Sequence, residues 1–262
     1  MTRHPDGAWY EKSFGRDYLR LYAHRDSAEA RADIEAVVRL ISPPKEEPLL
    51  DLCCGACRHL LVLREMGFTQ LVGLDLSGEL LDVAADDLER ACTLDGQSPD
   101  TVCLVRSDMR AIPYESFFAT VLSLFTSFGY FDEDRENQAV FDAVYAALKP
   151  GGRYLIDYLN REHVVLHLVA HDERFVDGKH VDSVRCLTDE CRRVAKTTTV
   201  TAPNGEQRVY YESVRMYARD EMVAMLGQAG FKNVRSYGSL EGDPFAPKSQ
   251  RLILVASKER DI

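Results

Sequence analysis

No stretch of the 262 residues approaches the roughly 20 consecutive apolar residues that cross a bilayer, and Met1 to Tyr10 lack the apolar core of a secretory signal. A membrane-spanning or exported protein is therefore not expected, and the chain reads as cytoplasmic. Excess positive charge is missing too: 32 Lys and Arg stand against 42 Asp and Glu, a formal net charge of -10. Such a field repels phosphate backbones and anionic lipid, which argues against nucleic acid and membrane partners. Low-complexity tracts and internal repeats are absent. The cysteines number seven, an odd count in a chain too large to need disulfide staples, and predict reduced thiols.

What is present is a rhythm. Apolar runs at 48–52, 70–75, 102–105, 120–125 and 153–158 read as strands, and helical spacing marks 26–41, 58–66, 79–91 and 136–148. Pro43-Pro44 stops the first helix, Gly67 caps the second, and Ser77 is an N-cap for the third. After Asn160 the pattern changes to a helix at 161–169 and four charged, β-branched segments at 173–176, 181–187, 193–201 and 208–216. Pro203-Asn204-Gly205 is the hairpin turn between the last two. A helix at 219–228 and strands at 234–237 and 251–256 then return to the first pattern. The expected fold is α/β, a Rossmann-like doubly wound seven-stranded sheet with a small antiparallel β lobe inserted. Residues 1–42 form a helical lid, 43–160 and 217–262 the main domain, and 161–216 the lobe, placed on the acceptor side.

In such sheets ligands sit at the carboxyl ends of the strands, where strand order reverses. Three of those ends carry carboxylates: Asp51 opens the loop Asp51-Leu52-Cys53-Cys54-Gly55-Ala56-Cys57-Arg58, Asp75 follows the second strand, and Asp108 the third. Asp75 is placed to accept from both hydroxyls of a ribose, and Asp108 from an exocyclic amine with Met109 against an adenine face. A dinucleotide fingerprint begun at Cys53 would place Cys, Gly and Arg at its three glycines, so only Gly55 fits and a pyrophosphate could not be approached closely. Three carboxylates suit a nucleoside without phosphate, S-adenosylmethionine (SAM) rather than NAD.

Five segments in order carry a resemblance: Asp51 to His59 to a loop of the type D-L-G-C-G-T-G-R-H, Gly73 to Ser77 to G-L-D-L-S, and Asp108 to Arg110 to D-M-R. Leu124 to Phe131 and the turn Lys149 to Gly152 complete the set. On these the chain resembles class I SAM-dependent methyltransferases of the small-molecule type over nearly its whole length. The resemblance implies that Cys53, Gly55 and the loop backbone approach the methionine end, with Asp51, Cys57 and Leu76 also among the cofactor-binding residues. It implies Asp75 at the ribose, Asp108 and Met109 at the adenine, and Leu124 and Phe125 beside the sulfonium. Two departures stand out: Cys53 and Cys57 replace the first and third loop glycines, with Cys57 expected to narrow the cofactor pocket, and Ala119 replaces an aspartate early in the fourth strand.

Other readings compete for the same residues. Cys54-Gly55-Ala56-Cys57 is a C-x-x-C at a helix start, where a thiol can be activated for disulfide exchange. A zinc site would need a second pair at suitable spacing, and Cys186 and Cys191, separated by four residues, lie far off in sequence in the lobe. His163, His167 and His171 would share a helix face, and His163, nearest the fifth strand, is a candidate general base together with Tyr130. The aromatic set Trp9, Tyr10, Phe14, Tyr18 and Tyr22 suits a lid, with Tyr18, Tyr22, His24 and Arg25 as candidates for the SAM carboxylate. The expected activity is methyl transfer to an oxygen, nitrogen or carbon of a small molecule by a monomer or homodimer. Non-methylating SAM chemistry on the same fold is the alternative.

Overall fold

A computed structural model describes residues 8–22, 27–96 and 98–260. The main sheet has seven strands in the order β10-β11-β5-β4-β1-β2-β3. They are β1 (Leu49–Leu52), β2 (Leu71–Asp75), β3 (Val102–Arg106), β4 (Phe118–Ser123), β5 (Leu148–Leu159), β10 (Lys232–Tyr237) and β11 (Arg251–Ser257). The first five run parallel, and β11 enters antiparallel between β5 and β10. Strand order reverses between β1 and β4, so the crevice at their carboxyl ends is where a ligand is expected.

Both faces are covered. On one, α3 (Ser27–Ile41) and α4 (Arg58–Glu65) bury Ile34, Val37, Leu60 and Leu63 against Leu49, Leu122 and Ile253. The third helix there, α5 (Gly78–Asp95), starts where Ser77 Oγ accepts from the Leu80 amide. On the other, α6 (Asp134–Ala147) and α8 (Arg219–Ala229) bury Phe141, Val144, Met222 and Leu226. The backbone of α8 starts where Glu221 accepts from the Ala218 amide at 2.7 Å. Side chains of β1 are buried on both faces, which is why the strand reads as a continuous apolar run.

The insertion is a four-stranded antiparallel sheet, β6 (His171–Val176), β7 (Lys179–Thr188), β8 (Arg193–Thr201) and β9 (Gln207–Arg215), in sequence order. At the β8–β9 turn the Gly205 amide bonds Ala202 O, and Asn204 Oδ1 accepts from Glu206. The lobe is joined to the main sheet by α7 (Arg161–His167) and by a close backbone contact at Gly129. A Cβ on Gly129 would lie 2.6 Å from Arg215 O, and its φ of +85° is one that glycine adopts freely.

Two boundaries differ from the sequence expectation. Residues 27–41 do not belong to a lid, because their apolar stripe packs on α4 as part of the sheet's helical layer. The covering segment consists of α1 (Trp9–Ser13) and α2 (Arg16–Leu21). The fourth strand ends at Ser123, so Leu124 and Phe125 stand in the loop beyond it. No helix among the described residues is long and apolar enough to cross a membrane.

Candidate active site

A cavity of about 1020 Å³ opens at the strand ends, between β1, β2, the loops after β3 and β4, and the α1–α2 segment. Asp51, Cys53, Gly55, Asp75, Leu76, Asp108, Met109, Leu124, Phe125, Tyr130, Tyr18 and Tyr22 all line it. His24 and Arg25 lie outside the described residues.

The three carboxylates have different surroundings. Asp51 is 2% exposed, its Oδ2 has no hydrogen-bond partner, and burial pushes its carboxyl up to about 6, partly offset by His59. Asp75 accepts from the Gly55 amide through Oδ2 at 2.9 Å and from the Ser77 amide through Oδ1 at 2.8 Å. Burial still raises its carboxyl above the usual range, against those backbone bonds. Asp108 is already engaged: both oxygens accept from Arg110, down to 2.6 Å, and although burial opposes it these bonds hold the carboxyl low. Arg110 also pairs with Glu136 at 2.7 Å and lies over the Phe131 ring, so Asp108 has less capacity for a ligand than the sequence suggested.

The loop cysteines divide. Cys53 takes the left-handed conformation (φ 63°), bonds Leu74 O through its amide, and sets Sγ 3.7 Å from Met109 Sδ at the cavity wall. Cys57, also left-handed at φ 61°, does not line the cavity, contrary to expectation. Its fully buried Sγ points at Gly73, where an added Cβ would meet Cys54 Sγ at 2.9 Å, Cys57 Sγ at 3.1 Å and Leu60 at 2.7 Å. The missing glycine therefore costs backbone strain without narrowing the pocket. Burial pushes the Cys53 thiol up, and a hydrogen bond with Cys57 together with burial does the same for Cys54. Disulfide exchange needs the reverse, a lowered thiol pKa, so this C-x-x-C is poorly suited to it.

After β4, Phe125 and Thr126 are both left-handed (φ 59° and 62°). Asp157 holds them, accepting from the Phe125 amide at 3.0 Å and from Arg251 at 2.7 Å, while Arg251 donates to Thr126 Oγ1 at 2.9 Å. Further round, Tyr130 stacks on Phe14 with centroids 5.6 Å apart, and burial holds its phenol well above the ordinary value.

His163 is not brought to the site. It sits on α7 away from the cavity, its ring stacked on His167 at 4.3 Å. The helix ends at His167, so His171 belongs to β6, where it pairs with Asp182 and Glu173 on the exposed lobe. The expected three-histidine face does not form.

No residue of 161–216 lines the cavity either. The lobe instead grips the covering segment: Ser13 Oγ donates to Tyr211 O, Tyr210 and Arg208 donate to Asp17, and Tyr22 bonds Glu212 and Lys196. Leu21 packs on Val181 and Val200. The other end of that segment is tied to α5, where the Arg16 amide donates to Glu79 at 3.0 Å.

Residues 49–152 match the family model described as methyltransferase domain. The chain has the class I methyltransferase fold. Among curated proteins, the dTDP-3-amino-3,4,6-trideoxy-alpha-D-glucopyranose N,N-dimethyltransferase of Streptomyces venezuelae is 32% identical over 142 residues, 54% of each chain. The match thus spans about half the length of that relative. The fold is shared with a SAM-dependent methyltransferase from Clostridium acetobutylicum, at 17% identity and TM-score 0.75, covering 93% of this chain and 96% of that one. It is also shared with CalS10, a SAM-bound amino pentose methyltransferase from Micromonospora echinaspora, at 24% identity and TM-score 0.64, covering 93% and 97%.

Within residues 49–152, sequence reasoning missed Arg58 and His59, which line the cavity from the first turn of α4. Their signal was the Arg-His pair closing the cofactor-loop motif. Tyr10, Phe14 and Phe131 were visible as aromatics but could not be assigned to the cavity without the fold.

Proposed function

We propose that this protein transfers the methyl group of SAM to the amine of a small, sugar-like molecule. The observation that carries the cofactor is the pair Asp51 and Asp75 at adjacent strand ends within one cavity. Asp51 Oδ2, buried and unpartnered, suits the α-ammonium of the methionine end. Each Asp75 oxygen accepts one backbone N–H and keeps a lone pair for a ribose hydroxyl. Met109 offers an apolar, polarizable surface to the adenine. The bound cofactor supplies a methyl on a positively charged sulfur.

Several features favour an amine acceptor. Tyr10, Phe14, Tyr18, Tyr22, Tyr130 and Phe131 give the cavity an aromatic wall, and π-faces stabilise alkylammonium groups. Tyr130 is held protonated by burial, so it serves as a hydrogen-bond partner and not as the strong base an alcohol requires. A neutral amine attacks unaided, forming the N–C bond as the C–S bond breaks, and the residues mainly position the partners. The curated relative's named substrate carries an amino group on a sugar. We place the reaction in the cytoplasm, in a monomer or homodimer without nucleic acid, consistent with the net charge of -10. The lobe is assigned to the acceptor side and acts through the covering segment.

The test is incubation with SAM and matched amino and hydroxy sugars, free and nucleotide-linked, followed by mass spectrometry. The expected products are S-adenosylhomocysteine and an amino sugar heavier by one methylene. Methylation of the hydroxy sugars alone would overturn the amine assignment.

A further inference from the structure

We infer that His171, Glu173 and Asp182 form a binding site for one divalent transition-metal ion on the β6–β7 hairpin, with His180 as a positioning residue for Glu173. None of the four lines the cavity, and the inference is independent of the SAM reading. The strand register sets the site up: Glu173 stands directly opposite Asp182, His171 opposite Val184, and Phe175 opposite His180. Side chains alternate along each strand, so His171, Glu173, His180 and Asp182 share one face. The hairpin's basic residues, Arg174, Lys179 and Arg185, fall on the other. Two carboxylates placed directly opposite each other repel. Among the described residues no lysine or arginine pairs with either of them, and their ion-pair partners are His171 and His180.

The donor atoms already converge. His171 Nε2 lies 2.7 Å from Asp182 Oδ1 and 3.5 Å from Glu173 Oε1, and one donor atom from each of the three residues lies within 4.8 Å of the other two. Ligand atoms around a tetrahedral zinc ion, at about 2.0 to 2.2 Å from it, are spaced about 3.4 Å apart. The contact at 3.5 Å fits that spacing, and the one at 2.7 Å has to open by less than about 1 Å, which side-chain rotation supplies where none of the residues is buried. His180 Nε2 lies 3.2 Å from the other oxygen of Glu173, and its ring packs on Phe175 at 5.3 Å. Such an outer contact orients a ligating carboxylate. One imidazole with two carboxylates suits zinc and its neighbours, whereas calcium and magnesium take all-oxygen shells. A doubly charged ion neutralises both opposed carboxylates at once and leaves its remaining position to water. It ties β6 to β7 on the hairpin whose other face packs Val181 against Leu21 of the covering segment.

The test is calorimetric titration of Zn2+ into the full chain in the presence of excess Mg2+, with the absorption spectrum of bound Co2+ as a second readout. One ion per chain at micromolar affinity is expected, and a Co2+ spectrum without the sulfur-to-metal band that the free cysteines would give. His171→Ala and Asp182→Asn should each abolish stoichiometric binding while circular dichroism stays that of the wild type, since neither side chain is buried. His180→Ala should weaken Zn2+ about tenfold, and His180→Gln, which can still donate to Glu173, should recover most of that loss. No stoichiometric binding to the wild type, a sulfur band, displacement by Mg2+, or unchanged affinity in His171→Ala or Asp182→Asn overturns the site. Unchanged affinity in His180→Ala, or a loss that His180→Gln does not recover, overturns the role of His180.

Discussion

Asp51 is the residue at which stability and binding oppose each other. Its carboxyl is raised from the usual value to about 6, so protons are held more tightly in the folded chain than in the unfolded one. Its contribution is complete below the unfolded value and is lost as pH rises through about 6, amounting to about 3 kcal/mol by pH 7. Asp51→Asn should therefore gain stability relative to wild type as pH rises from 4 to 7, read from chemical denaturation without cofactor, while binding S-adenosylhomocysteine more weakly. A constant difference across that range would contradict the buried, unpaired state of the carboxylate. Asp51 and Asp75 were legible because a carboxylate closing a buried apolar strand has few structural reasons to be there. Cys57 was misread because a glycine position in a motif does not say which way a replacing side chain points; the Gly73 gap that receives its sulfur lies on another strand. Asp108 lines the cavity, but its bonds to Arg110 were not foreseen, since no sequence pattern specifies that side chain's rotamer.

At the scale of elements, the loop after β4 is the strained part of the site. Two consecutive left-handed residues, Phe125 and Thr126, are held by Asp157 and Arg251 from the neighbouring strands β5 and β11. Asp157→Ala leaves the Phe125 amide without its acceptor and removes the Arg251 ion pair, and should cost about 1 to 3 kcal/mol of stability. Turnover should fall further than stability explains, because Phe125 lines the cavity; a loss of stability with unchanged turnover would show that the loop needs no such brace. Strand and helix positions were readable to within a few residues from periodicity and caps. The lid boundary and the histidine face were not: α3 has the same amphipathic spacing whether it covers a site or a sheet, and the helix bearing His163 ends at His167, before the third histidine.

Across the whole molecule, the lobe reaches the cavity through α1 and α2 and through the loop after β4, where Arg193 donates to Phe131 O. Trp9 is 4% exposed and sits among Tyr10, Phe14, Tyr130 and Tyr211, so it links lobe, lid and β4 loop. Exchanging 161–216 alone for the lobe of a related enzyme should loosen the lid and lower turnover on all acceptors, whereas exchanging 1–22 together with 161–216 should transfer acceptor preference. Preference that follows the lobe alone would contradict this coupling. The doubly wound sheet was legible because it is built from local βα units, while the coupling of a segment near residue 17 to strands near residue 210 depends on contacts no local pattern encodes. The central claim is that the strand-end carboxylates bind SAM, and calorimetric titration of S-adenosylhomocysteine into wild type and Asp75→Ala tests it most directly. One site per chain in the wild type, weakened by about 1.5 to 3 kcal/mol in the variant, is the predicted result, and no binding to the wild type, or equal affinity in both, would contradict it.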